Sequence, residues 1–217
     1  MTLLPSRSTA PDSGMGEPDH GPWRSAHDLD GATPLSEEDK DGLRLSWVAT
    51  RADLNAAEAA NIAKALRTRT WLRHSTEQLL DDHLQRRLHT AMFGDVWTWA
   101  GKYRATEKNI GCDPAQIAVR LRDLCGNAKY WFERALPPDE AGCRFHHELV
   151  AIHPFVNGNG RHARAATDLL MRSTGARGFT WGSANLIQPS DLRKAYIDAL
   201  RAADRGNLEP LLAFVRS

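Results

Sequence analysis

The chain has 217 residues, 41% of them hydrophobic, enough for one domain with a sizeable core. Its 28 Lys and Arg stand against 27 Asp and Glu, so a formal charge of +1 gives no electrostatic case for direct binding to nucleic acid or an anionic membrane. No apolar run approaches the ~20 residues of a membrane span, and the N-terminus lacks a signal-peptide pattern. Cys112, Cys125 and Cys143 are odd in number and lack Cys-x-x-Cys spacing, which points to reduced thiols and a cytoplasmic setting.

Residues 1–29 are rich in Pro, Gly, Ser, Asp and His and read as a flexible extension, with structure expected from residues 30–34 onward. Ser36 before Glu37, Glu38 and Asp39 predicts a capped short helix ending at Gly42. Apolar spacing then predicts helices over 54–73 and 76–92, the second carrying Leu79, Leu80, Leu84, Leu88 and Met92. Trp97, Trp99 and Tyr103 read as core aromatics. Asp113-Pro114 opens a helix to about residue 135, with the stripe Ile117, Leu121, Leu124, Ala128 and Trp131.

Pro137-Pro138 breaks that helix and Asp139 starts the next. Phe145, Leu149 and Ile152 put an apolar face on it, so its last turn presents His153 at a fixed place. His146 and His147 read as buried or site-supporting side chains. His147 and His153 are six apart, a poor spacing for one helix face, and no acid or Cys completes a metal site. A further helix runs from the following loop to about Met171 and ends at Gly175. Ser190 is expected to cap a helix to about residue 205, with Leu192, Tyr196 and Leu200 packing and Gly206 terminating it. Residues 208–215 form the last helix. The fold class is mainly α, in one domain.

Residues 153–164 carry the chemistry. The glycine-asparagine turn of Asn157, Gly158, Asn159 and Gly160 leaves backbone N–H groups pointing outward just before a helix, which makes an anion cradle. Arg161 and Arg164 are three apart and share one helix face. Two guanidinium forks beside an amide nest suit a polyphosphate better than a lone carboxylate. His153, with an ordinary pKa near ~6.5, can accept a proton at neutral pH. His162, between the arginines, reads as a surface or site-supporting residue.

His153-Pro154-Phe155-Val156-Asn157-Gly158-Asn159-Gly160-Arg161-His162-Ala163-Arg164 closely resembles the Fic family signature, His-x-Phe-x-(Asp/Glu)-Gly-Asn-Gly-Arg-x-x-Arg. Every signature position but one matches, in order and without a gap. The resemblance implies a Fic-type helical bundle over 30–217, with its core at about 76–217 and a short β-hairpin flap beside the active-site loop. It implies a protein adenylyltransferase that moves AMP from ATP onto a hydroxyl side chain of a target protein. His153 would then be the base, and Gly158, Asn159 and Gly160 the anion loop. Arg161 would reach the β-phosphate, and Arg164 the γ-phosphate or its helix-side support.

The exception is Asn157, which stands where the family has the acid that ligates Mg²⁺. An amide oxygen can coordinate Mg²⁺ but carries no charge, so weaker binding of Mg²⁺ or Mn²⁺ is expected, with Asn157 a weak ligand and the ATP phosphates supplying most of the ligand field. Gly160 leaves the room a β-phosphate needs, which favours nucleotidyl transfer over the phosphoryl transfer of the Doc variant, where Lys stands at this position. Alternatives left open are Fic-type transfer of UMP, GMP or phosphocholine, and a nucleotide-binding module with little catalysis.

Residues 93–104 resemble the segment before the Fic flap. The hairpin itself is expected at 105–112, with Lys108, Asn109, Ile110 and Gly111 near its turn and in contact with the target as an added strand. Over the whole domain the pattern is similar to the mobile mystery protein B subgroup, which implies a small helix-turn-helix partner and a toxin–antitoxin-like arrangement. Many Fic proteins carry an inhibitory (Ser/Thr)-x-x-x-Glu-(Gly/Asn) motif whose Glu pairs with the second motif arginine. Residues 50–55 have that frame with Leu54 in the Glu position, so the chain is expected to lack this brake or to use a variant in which Asp53 or Glu58 substitutes in another register, unless these residues only start a helix.

Overall fold

The computed structural model describes residues 36–183 and 189–217. The expected N-terminal extension and the expected start at residues 30–34 lie outside the described residues. At the centre, α6 (Pro138–Ile152) packs on α7 (Asn159–Ser173), and residues 153–158 join them. Their order before this pair is α1 (Glu37–Lys40), α2 (Arg51–Leu66), α3 (Thr76–Leu79), α4 (Asp82–Phe93) and α5 (Ile117–Tyr130). After it come α8 (Pro189–Asp204) and α9 (Glu209–Arg216). Helices α4 and α5 pack against the central pair on one side, α2 packs on α4, and α9 packs on both α8 and α6. The chain is therefore mainly α, as its periodicity predicts.

Two apolar clusters hold it together. The larger gathers Leu88, Met92, Phe93, Trp97, Ile117, Leu121, Leu124, Phe145, Leu149 and Leu170. A smaller one joins Cys143 of α6 and Met171 of α7 to Tyr196, Leu200, Leu211 and Val215. Each buried Leu or Phe contributes about 1.5–3 kcal/mol relative to exposure. Phe132 and Val150, both partly buried, pack against the two clusters at once.

Local chemistry sets the helix boundaries where periodicity alone ran too far. The stretch expected as one helix over 54–73 begins at Arg51 and stops at Leu66, and Trp71–Arg73 is a separate 3₁₀ turn. At its start, Thr50 and Asp53 form a reciprocal capping box. Past its end, Thr68 turns its hydroxyl back onto the Lys64 carbonyl instead of extending the helix (3.4 Å). The stretch 76–92 is two helices. Ser75 and Gln78 box the first, Leu80 leaves helical geometry, and the Asp81 carboxylate accepts from the Leu84 amide to start the second. The Gln85 side chain fills the break by donating to the Leu79 carbonyl at 2.6 Å.

Asp113 accepts from the Ala115 amide as expected, but the chain makes a 3₁₀ turn at Pro114–Gln116 before α5, and a π turn at Trp131–Ala135 after it. Ser190 lies inside the first turn of α8 rather than capping it, because Pro189 already opens the helix with a preset φ. Gly175 and Gly206 end α7 and α8 with positive φ, as expected.

The flap differs from expectation. Among the described residues the β pairings are two isolated bridges, Leu43 with Trp97 and Tyr103 with Phe155, and residues 105–112 form no hairpin ladder. The buried Arg104 guanidinium takes the carbonyls that order this segment. Its Nε donates to the His153 carbonyl at 2.7 Å, Nη1 to Thr106 at 3.0 Å, and Nη2 to Cys112. A side chain, not cross-strand pairing, holds the segment over the site.

Candidate active site

His153 ends α6 in the left-handed region, with φ 53° and ψ 59°. Pro154 disfavours the right-handed helical region for the residue before it. A non-glycine residue held there stores about 1–3 kcal/mol. The site offsets this with three bonds. The His153 amide donates to Leu149 (3.2 Å), its carbonyl accepts from Arg104, and the Arg104 amide donates to the Pro154 carbonyl (3.0 Å). The His153 ring is buried, and Nδ1–H donates to the Val150 carbonyl at 3.3 Å, leaving Nε2 as the acceptor nitrogen. Burial, together with the Arg104 and Lys108 charges, brings its pKa down to about 4. At neutral pH the ring is uncharged and can take a proton.

The loop is tied from within. Asn159 is buried; its Oδ1 accepts from the Phe155 amide (2.9 Å) and its Nδ2 donates to the Phe155 carbonyl (2.8 Å). Asn159 therefore shapes the anion loop with its side chain and offers the ligand only its backbone. Gly158 has φ 79°, and a Cβ there would sit 2.4 Å from the Phe93 ring. At Gly160 a Cβ would meet nothing closer than the Tyr196 hydroxyl at 3.8 Å. No side chain caps α7, so the amides of its first turn are available to an anion.

Arg161 lies over the Phe93 ring (5.0 Å) and pairs with Glu58 of α2 at 2.7 Å. Arg164 lies over the Tyr196 ring at 4.9 Å, and among the described residues it pairs with no carboxylate. Its buried Nε has no hydrogen-bond partner.

His153, Asn157, Gly158, Asn159, Gly160, Arg161 and Arg164 all line one cavity of about 820 Å³. Ile110 and Gly111 line it too, whereas Lys108 and Asn109 do not; Lys108 acts on the site through its charge on His153. His146 is fully buried, as expected, and His162 is fully buried rather than at the surface. His146 meets the Tyr196 hydroxyl at 2.9 Å, and His162 donates to the Gln85 carbonyl at 3.0 Å.

Sequence reasoning missed the far wall, Arg193, Ile197, Leu200 and Arg201 of α8, and Arg51 and Asn55 of α2. The α8 residues recur at helical spacing and so carried a signal, but Tyr196 and Leu200 were read only as packing. It also missed His89. That ring accepts from the Gly101 amide (3.0 Å), donates to the Asn157 carbonyl (3.0 Å) and stacks on Phe155, so it fixes the loop from below.

The donor set does not suit a protein-held divalent cation. Asn157 Oδ1 already accepts from the Gly158 amide at 2.5 Å, and among the described residues no group of three or more His, Cys, Asp or Glu could hold a metal. A cation at this site would arrive as part of a metal–nucleotide substrate.

A buried neutral histidine, an uncapped helix N-terminus and two arginines on one helix face stand together on a helical bundle, an arrangement with the chemistry to receive an anion. Residues 79–171 match the Fic/DOC family. A protein adenylyltransferase fic-1 of Caenorhabditis briggsae is 30% identical over 141 residues, which cover 63% of this chain and 26% of that protein. The chain thus spans about a quarter of the length of the curated relatives it matches. Fic-1 of C. elegans is a structural neighbour with a TM-score of 0.57 and 25% identity, over 81% of this chain and 55% of that one. BepC of Bartonella tribocorum, solved with bound AMPPNP, has a TM-score of 0.63 at 18% identity over 83% and 93% of the two chains, a likeness of fold. No helix among the described residues is long and apolar enough to cross a membrane.

Proposed function

We propose that this protein is an adenylyltransferase that moves AMP from ATP onto a hydroxyl side chain of a target protein. The observation that carries this reading is the placement of buried, uncharged His153 on the same cavity as the uncapped start of α7 and both motif arginines. The target oxygen attacks the α-phosphorus, the bond to the bridging oxygen of the β-phosphate breaks, and pyrophosphate leaves. His153 Nε2 takes the hydroxyl proton. Amides of Gly160 and Arg161 stabilise charge on the α-phosphate, and Arg161 and Arg164 take the outer phosphates. Burial keeps the His153 pKa low, with the Arg104 and Lys108 charges adding to it, and the donor's negative charge would raise it, making a stronger base when ATP is bound.

Segment 108–111 is the candidate surface for the target, since Ile110 and Gly111 reach the cavity beside His153. That similar proteins are protein adenylyltransferases supports the reading. A helix-turn-helix or antitoxin-like partner, the mobile mystery protein B grouping and a cytoplasmic setting belong to the same proposal. The first two rest on sequence resemblance and the last on the free cysteines. A second reading, nucleotide binding with slow transfer, is favoured by the engaged, uncharged Asn157.

The test is transfer of α-³²P label from ATP into bacterial lysate and into the protein itself, with Mg²⁺ or Mn²⁺. Label with the native chain that disappears in His153→Ala is the expected result. Label only with Asn157→Asp would favour the second reading, and none in any form would remove adenylyl transfer.

A further inference from the structure

Glu58 is a buried acid that the chemistry above does not use. Its side chain is 4% exposed, and both carboxylate oxygens are engaged. Oε1 accepts from the Trp97 indole N–H at 2.7 Å, and Oε2 meets Arg161 Nη1 at 2.7 Å. Burying a carboxylate costs several kcal/mol unless donors compensate, so Glu58 is held in place only as part of this triad. Arg161 in turn has two supports, the Glu58 carboxylate and the Phe93 ring under its guanidinium. Phe93 is also the ring that Gly158 packs on. The arginine and the anion loop therefore share one rigid floor.

The direction of the contact decides what it does. Arg51 and Asn55 of α2 line the cavity, but Glu58, one turn further along the helix, does not. A carboxylate that competed with phosphate would have to occupy the space the phosphate needs. Glu58 sits behind Arg161, on the Trp97 side. Arg164, further along α7, is left without a carboxylate among the described residues.

We infer that Glu58 and Trp97 are positioning residues that hold Arg161 ready for the second phosphate of the nucleotide, and that Glu58 is not a brake on the site. The inference rests on the nucleotide reading above. Anion contacts run along α7 from the amides of its first turn to Arg161 and then Arg164. A nucleoside monophosphate engages only the first of these, and a diphosphate engages Arg161 as well. A fixed guanidinium loses less side-chain entropy on binding than a free one.

The experiment is calorimetric binding of AMP, ADP and ATP to the full chain, to Glu58→Gln and to Trp97→Phe, with thermal melts as a check on folding. Glu58→Gln keeps the shape but removes the charge and one of the two acceptors. Trp97→Phe keeps a ring and removes the N–H, so it serves if the first variant does not fold. The expected result is about tenfold weaker ADP and ATP binding in Glu58→Gln and about threefold in Trp97→Phe, with AMP unchanged. Equal losses for AMP and ADP would reduce Glu58 to a fold element. Tighter ADP binding in Glu58→Gln would make it a brake. Either result overturns the inference. If the native chain binds no nucleotide, the reading on which it rests falls as well.

Discussion

At Gly158 and Gly160, two residues apart, the absence of a side chain answers different demands. Gly158 has a positive φ and the Phe93 ring against its Cα, so any Cβ is strained and blocked. Gly160 is an ordinary helical residue with open space around it. Stability and function should therefore separate. Gly158→Ala is expected to cost about 2 kcal/mol or more and lower the melting temperature by several degrees. Gly160→Ala should leave the melt unchanged or slightly raised, because alanine is the better helix former, yet weaken ATP binding about tenfold by filling phosphate space. Paired melting and titration measurements check both. If Gly160→Ala binds ATP normally, phosphate does not sit where this site places it.

Among the elements, the connection between α6 and α7 depends on Arg104, which joins residues 104–112 to the left-handed turn at His153. Replacing it with Met would take this donor from the buried His153 carbonyl and the half-buried Cys112 carbonyl, at about 1–3 kcal/mol for a buried one. Arg104→Met should speed amide exchange across 105–112 and at His153 while sparing α5 and α7. Protection unchanged in 105–112 would show that other contacts hold the segment. The same residue explains why the flap was misread. The hairpin was expected from the family resemblance, with Lys108 to Gly111 near its turn, and nothing local shows that an upstream guanidinium will take the carbonyls. Helix breaks at Leu80 and Thr68 were likewise hidden, because Leu79, Leu80, Leu84 and Leu88 keep helical spacing across a break made by Asp81. The anion loop and its two arginines were legible because twelve consecutive residues carry them. Arg104 and His89 were not, since each reaches the site from a distant part of the chain; Glu58 was singled out as an acid near a motif arginine, but it pairs with the first, Arg161, rather than the second.

Taken as a whole, the molecule buries an unusual set of neutral histidines. Burial lowers the pKa of His153 and His162 to about 4 and of His146 to about 3, and takes His89 well below the ordinary value, with the neighbouring His162 adding to it. In the unfolded chain they titrate near ~6.5. Between these values the unfolded state binds more protons than the folded one, so stability falls as pH drops below about 6.5 and continues to fall to about 4. Each such histidine contributes a slope of up to about 1.4 kcal/mol per pH unit. Melting temperature should be nearly flat from pH 8 to 7 and then decline steeply from pH 6 to 5. His162→Gln, which keeps a donor for the Gln85 carbonyl, should flatten that decline. A decline unaffected by the substitution would place the acid sensitivity elsewhere.

The division into two apolar clusters bears on how such a protein can change. His153 and the glycine-asparagine loop stand beside the larger cluster, while the α8 wall, with Tyr196, Ile197 and Leu200, belongs to or packs against the smaller one. Phe132 and Val150 are shared, and α6 and α7 carry residues of both clusters. Tyr196 reaches Arg164, whereas Ile197 and Leu200 line the cavity. On the proposed function, substitutions at Ile197 and Leu200 are expected to change which donor the cavity accepts while His153 and the loop keep the reaction they carry, so that lineages can diversify the first and inherit the second.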